Sequence, residues 1–111
     1  MKNIFQKIID GELPCDKVFE NERLIAFKDI APAAPVHILI VPKKAIHGIA
    51  DIKAEDGPLI AEIVTVANDL AKKFKIHEGY RLLTNNGPMA GQSIFHLHFH
   101  LIGGCHLGPV A

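Results

Sequence analysis

The segment MKNIFQKIIDGELP sets apolar Ile4, Phe5, Ile8 and Ile9 at helical spacing, with Gly11 following as a stop, which predicts a short helix over 3–10. Residues 17–20 and 24–28 flank the polar Asn21-Glu22-Arg23 and read as a hairpin. The run VHILIVP at 36–42, bounded by Pro35 and Pro42, is nearly continuous in β-branched and aliphatic residues. Such a run describes a central strand covered on both faces. Leu59, Ile60, Ile63, Val64, Ala67, Leu70, Ala71 and Phe74 repeat with helical period, behind Asp56-Gly57-Pro58 and ahead of Lys72, Lys73 and Lys75. Proline suits a first helical turn and cations a last one, so a helix is predicted over 58–75. Strands over 80–84 and 95–102, joined by the loop NNGPMAGQS at 85–93, complete the pattern. Two helices, one long and one short, with about five strands that do not alternate with them, imply an α+β fold with an antiparallel sheet.

A length of 111 residues and 49% hydrophobic content imply one domain, 1–111, with a single filled core. The 12 basic and 12 acidic residues balance, so net charge gives no reason to expect a nucleic-acid or membrane-surface partner. Gln6, Lys7 and Asp10 interrupt the N-terminal apolar residues, and no apolar run approaches the ~20 residues that span a bilayer. A cytoplasmic protein is the expectation. Cys15 and Cys105 are read as free, structural thiols.

The stretch HLHFHLIGG at 96–104 changes the picture. Alternation of Leu97, Phe99 and Leu101 with His96, His98 and His100 is the period of a strand, which would put all three imidazoles on one face. Packing gains nothing from such a pattern, whereas imidazoles serve proton transfer, nucleophilic attack and metal binding. Metal ligation is the first rival, but no Asp or Glu occurs from Gly79 to Ala111 to complete or orient such a site locally. An acid-free region with Arg81 and four histidines, preceded by Asn85, Asn86, Gly87, Gly91, Gln92 and Ser93, suits an anion better. Glycines let backbone N–H groups approach phosphate oxygens, and Asn, Gln and Ser donate without repelling them. If the anion is a phosphate ester or phosphoramidate, a neutral imidazole can attack phosphorus and split one hard displacement into two. His98, flanked by the other two, is the natural nucleophile. A second imidazole or a hydroxyl would assist the leaving group.

The signature HLHFHLI resembles that of the histidine triad (HIT) family, and the resemblance extends through FKDI at 27–30, PVHILIVPKK at 35–44, LTNNG at 83–87 and GQS at 91–93. Within that family the chain is most similar to the histidine triad nucleotide-binding proteins. The resemblance implies a homodimeric HIT-like fold that takes purine nucleotides and hydrolyses purine nucleoside 5′-phosphoramidates or aminoacyl adenylates, without a cofactor. It implies that His98 carries a transient nucleotidyl group, with His100 near the phosphate and His96 and His37 supporting the imidazoles. Asp29 would hold the ribose hydroxyls beside Ile30, which would line the nucleoside pocket. Asn85, Gly91, Gln92 and Ser93 would surround the phosphate, Ser93 also assisting the leaving amine. His100 stands where the nucleotidyltransferase branch resembles glutamine, which favours transfer to water.

Some bacterial relatives hold a structural zinc partly through Cys-x-x-Cys near the N-terminus, where this chain reads Asn3-Ile4-Phe5-Gln6, with Ala45 at the later zinc-histidine position. No metal site is expected. The tail HLGPVA lacks the tryptophan of some relatives, and Pro88-Met89-Ala90 replace more polar loop residues. The alternatives are a dinucleoside polyphosphate hydrolase of the same superfamily, a nucleotide-binding regulatory module and, last, a three-histidine metalloprotein.

Overall fold

The computed structural model describes residues 1–110. Ten elements follow in order: α1 (Ile4–Ile9), β1 (Lys17–Glu20), β2 (Leu24–Lys28), β3 (Val36–Pro42), two 3₁₀ turns, α2 (Gly57–Lys73), β4 (Tyr80–Leu83), a third 3₁₀ turn and β5 (Phe99–Gly103). The strands form one sheet of order β1-β2-β3-β5-β4 in which every neighbouring pair is antiparallel. This is the α+β architecture that the sequence pattern implies.

The continuous apolar character of β3 has its cause in the two layers that sandwich it. Ile38 and Ile40 pack with Leu24, Ala26 and Leu101 against the stripe Ile63, Val66, Ala67, Leu70 and Ala71 of α2. Leu39 and Val41 face the other way and pack with Ile25, Phe27 and Phe5 of α1. A period of two along the strand thus feeds two cores. On the α1 side of β3 the first position is His37, so the polar site begins where the second core ends.

Both helices end in a left-handed turn. Gly11 closes α1 at φ 78°, its N–H donating to Ile8 O while Glu12 N–H donates to Lys7 O. Lys75 closes α2 at φ 60° with the same pair of bonds, which is why the helix stops at Lys73 although its apolar repeat runs on through Phe74.

The expected strand over 95–102 begins later, at Phe99. Ladder pairing with β3 runs from Val36↔Gly103 to Ile40↔Phe99 and goes no further. Before Phe99 the chain leaves the ladder: Leu97 N–H donates to Ile46 O at 2.6 Å, and the His98 ring bonds the carbonyl of His96. Local side-chain bonding to the backbone competes with strand pairing in this way. Only His100 of the three histidines therefore lies in a strand.

Candidate active site

Each histidine owes its place to a different part of the fold. His100 sits in β5 beside Leu39 of β3, and the His37 ring reaches it diagonally across the ladder, Nε2 to Nδ1, at 2.9 Å. His96 is 1% exposed, its Nε2 2.7 Å from the carbonyl oxygen of Pro42. His98 is half-buried, with Nδ1 2.7 Å from the carbonyl oxygen of His96. The His98 and His100 rings stand 5.2 Å apart, and Phe5 of α1 meets the His98 ring edge-on at 4.8 Å.

These partners dictate where the protons are. A carbonyl oxygen only accepts, so His98 carries its proton on Nδ1 and keeps a lone pair on Nε2. The backbone N–H of Ala33 donates to His37 Nδ1 at 3.0 Å, which puts the His37 proton on Nε2, where it is donated to His100 Nδ1. His100 must then carry its own proton on Nε2. The neutral site therefore offers one imidazole with a free Nε2 lone pair beside one with an Nε2–H donor. Burial holds the His98 pKa below its ordinary value, against the raising effect of its bond to the His96 carbonyl. Burial, with His98 and His37 close by, pushes His100 down to about 4. At neutral pH both rings are uncharged, as a nucleophile requires.

Asp29 lies just past β2, half-buried, with Oδ1 accepting the Ala31 N–H at 2.8 Å and Oδ2 3.4 Å from His37 Nε2. Its neighbour Ile30 is fully exposed. The loop 84–95 carries the remaining expected residues. Asn85 is half-buried, and Ser93 is exposed at the loop's far end. Gly91 adopts φ 97°, a conformation open to glycine, and its N–H donates to Pro88 O. Gln92 differs from a solvent-facing phosphate ligand: it is 5% exposed, accepts the Gly87 N–H at 2.8 Å and donates to the carbonyls of His47 and Ile94. Its side chain braces the loop from beneath, because a buried amide must satisfy its own polar atoms. Asn86 adds a second tie, accepting the Ala50 N–H at 2.9 Å.

Two places deserve a test as metal centres on donor chemistry. Asp29, His37 and His100 offer ligand atoms within 4.8 Å of one another. Coordination through His37 Nε2 would require the proton to move to Nδ1, against the Ala33 N–H that already points there, so the cluster does not fit an ion in this geometry. Around His96, Asn3 and Gln6 contribute amides that bond each other's backbone, a neutral oxygen and nitrogen set without thiolate, which does not fit a structural zinc.

Sequence reasoning passed over Asn3, Phe5 and Pro42, which touch the histidines from α1 and from the end of β3. Asn3 and Gln6 stand three apart, the spacing of a helix cap, but the contact of Asn3 with His96 joins residues 93 apart and has no local signal.

Residues 10–107 match the HIT domain family. The chain belongs to the HIT family. It is 50% identical over 111 residues to a HIT-like protein of Chlamydia trachomatis, covering 100% of both chains. It is 43% identical over 110 residues to the purine nucleoside phosphoramidase of Escherichia coli K12, covering 98% of this chain and 92% of that one. Among solved structures, the HIT family hydrolase from Legionella pneumophila Philadelphia 1 superposes with a TM-score of 0.95 at 42% identity, covering 96% of each chain. These likenesses place the chain among the HIT family hydrolases and confirm the HIT-like fold. No helix among the described residues is long and apolar enough to cross a membrane.

Proposed function

We propose that the protein hydrolyses purine nucleoside 5′-phosphoramidates or aminoacyl-adenylate-like substrates to the nucleoside monophosphate through a nucleotidyl-histidine on His98. The observation that carries this reading is the hydrogen-bond chain that leaves a lone pair on His98 Nε2. In the first step Nε2 bonds to phosphorus while the bond from phosphorus to the leaving group breaks; a phosphoramidate nitrogen takes a proton from the Ser93 hydroxyl, which regains it from solvent, and departs as the amine, whereas the carboxylate of an aminoacyl adenylate departs without one. Positive charge grows on the imidazole as that bond forms, and the His96 carbonyl accepting the Nδ1–H stabilises it. Water then attacks phosphorus and gives up a proton to solvent, the bond to Nε2 breaks, and neutral His98 is restored.

The remaining roles follow from chemistry. The His100 Nε2–H is a donor for the phosphoryl oxygens. Asp29 keeps Oδ2 for ribose hydroxyls, Ile30 gives the nucleoside an apolar rim, and Asn85 and Ser93 supply polar groups around the phosphate, Ser93 also assisting the leaving amine. Gly91 shapes that loop and Gln92 supports it. His37 and His96 hold the rings in register. The name of the Escherichia coli relative supports the choice of a purine phosphoramidate.

The same reading includes a homodimer and a cytoplasmic setting. Edge strand β1 carries an irregular register and exposed, charged Lys17 and Glu20, whereas β4 at the other edge, Tyr80, Arg81, Leu82 and Leu83, is half-buried throughout, an edge that invites a second copy. Light scattering giving twice the chain mass supports it, and a monomer at working concentration refutes it.

A single-turnover reaction with adenosine 5′-phosphoramidate, quenched and read by peptide mass spectrometry, tests the chemistry. An adenylate on His98, absent in His98→Ala, is expected. Turnover of a dinucleoside polyphosphate at a higher rate than of the phosphoramidate would favour the alternative substrate class, and nucleotide binding without turnover would favour a binding module.

A further inference from the structure

The short helix α1 covers the second core through Phe5, and its cap touches the histidines. Asn3 Oδ1 accepts the Gln6 N–H at 2.8 Å, and the Gln6 side chain accepts the Asn3 N–H at 2.9 Å. With its oxygen committed to the helix, the Asn3 amide has one orientation, and its NH₂ lies 3.4 Å from His96 Nδ1. An NH₂ group only donates, so it requires an unprotonated Nδ1. The His96 proton is then on Nε2, donated to Pro42 O at 2.7 Å. His96 is 1% exposed and has no solvent to fall back on if either partner is wrong. Its own carbonyl oxygen, in turn, accepts the His98 Nδ1–H. Phe5, two residues after Asn3, packs edge-on against both rings, with centroids 6.3 Å from His96 and 4.8 Å from His98.

We propose that Asn3 is a positioning residue for the nucleophile: with the Pro42 carbonyl holding the His96 proton on Nε2, the Asn3 amide engages the opposite nitrogen and fixes the plane of His96, and the His96 carbonyl thereby fixes His98. The inference rests on His98 acting as the nucleophile. It makes the helix cap and the active site one structure. Docking of α1 seats Phe5 and the Asn3 amide together, so the N-terminal turn sets the aim of Nε2.

The discriminating substitution is Asn3→Asp. Aspartate caps a helix as well as asparagine does, so α1 is retained. The carboxylate, however, turns an acceptor toward His96 Nδ1 and draws a proton there. Asn3→Ser also retains the cap but falls short of the ring. Ring ¹⁵N chemical shifts of histidine-labelled full-length protein report protonation directly. Wild type is expected to show His96 protonated on Nε2 alone and His98 on Nδ1 alone. Asn3→Asp is expected to protonate both nitrogens of His96, and Asn3→Ser to leave the proton on Nε2 but move the Nδ1 shift toward that of an unbonded lone pair, with circular dichroism and melting temperature close to wild type. The rate of adenylation of His98 is expected to fall about 10-fold in both, the scale on which small misplacement of a reacting group acts. Binding of adenosine monophosphate is expected to stay within about 2-fold, since the effect is on aim.

His96 shifts identical to wild type in Asn3→Asp would overturn the proposal, as would altered His96 shifts with an unchanged adenylation rate. Should Asn3→Asp not fold, the same two readouts on Asn3→Ser decide it. The ring shifts need no substrate, so a wild-type protein that never forms the adduct refutes the nucleophile, not the contact between Asn3 and His96.

Discussion

His37 donates a hydrogen bond to His100 across the β3–β5 ladder, Nε2 to Nδ1, at 2.9 Å. The bond has a direction because the Ala33 N–H occupies the other His37 nitrogen, and that direction leaves His100 with its proton on Nε2. A backbone amide in the loop between β2 and β3 thus determines which face of His100 can donate to an anion.

Replacing His37 by Phe keeps an aromatic ring at the buried strand position and removes the donor. His100 is then free to take either tautomer, and the half without an Nε2–H stabilises no phosphoryl charge. The expected loss is roughly 10- to 100-fold in kcat/KM, below the 10²–10³ of deleting an oxyanion donor outright. Steady-state kinetics on a phosphoramidate check it, with His100 ¹⁵N shifts showing the tautomer mixture.

Acid acts on the same rings. His98 and His100 have folded-state pKa values below the ordinary histidine value, His100 near 4, so protons bind them more readily in the unfolded chain. Their contribution to stability is complete above about pH 6.5 and declines as the pH falls from there toward 4. kcat/KM is expected to be level from pH 8 to about 6.5 and to fall only at lower pH, as His98 Nε2 is protonated. A profile that already falls between pH 7.5 and 6.5 would contradict the depressed values. Urea unfolding at pH 7 and pH 5 checks the stability arm.

Gln92 gives a prediction about the loop. Leu has a similar volume but leaves the Gly87 N–H and the His47 and Ile94 carbonyls without their partner. Gln92→Leu is expected to destabilise by about 1–3 kcal/mol, the range for stranding buried polar groups. Faster hydrogen exchange at Gly87 and a raised KM, with the His98 adduct still formed, are the expected signatures. Equal exchange rates would show that the 3₁₀ turn holds the loop unaided.

The origin of these features explains how much of the site was legible in the sequence. Local patterns were legible: the alternation in β3, the α2 stripe and the Gly- and Asn-rich loop before β5 each follow from neighbours in the chain. The strand start at Phe99 was not, because the alternation in 96–102 continues through residues whose bonds go to Pro42, Ile46 and the chain itself. Periodicity reports which way side chains alternate, not whether a partner strand is present. Gln92 was read by residue type as a phosphate donor, but its neighbours turn it inward. Asp29 serves both readings, as the turn acceptor for Ala31 and as a carboxylate beside His37.

That double duty makes Asp29→Asn informative about ribose. Asparagine retains the acceptor for the Ala31 N–H, so the turn before Pro32 survives. It also sets an NH₂ near the His37 Nε2–H, two donors facing each other, so the absolute rate will fall for reasons unrelated to the sugar. The ratio of kcat/KM for a ribonucleoside phosphoramidate to that for its 2′-deoxy analogue cancels the shared histidine effect. A hydrogen bond from a hydroxyl to a charged carboxylate is worth roughly 1.5–3 kcal/mol, which corresponds to a preference for ribose of about 10- to 100-fold in the native protein. Asp29→Asn is expected to bring that ratio to within about 3-fold of unity, since a neutral amide oxygen is the weaker acceptor and is already bonded to Ala31. A ratio near unity in the wild type would remove Asp29 from the ribose, and a large ratio that persists in Asp29→Asn would assign the hydroxyl to another residue.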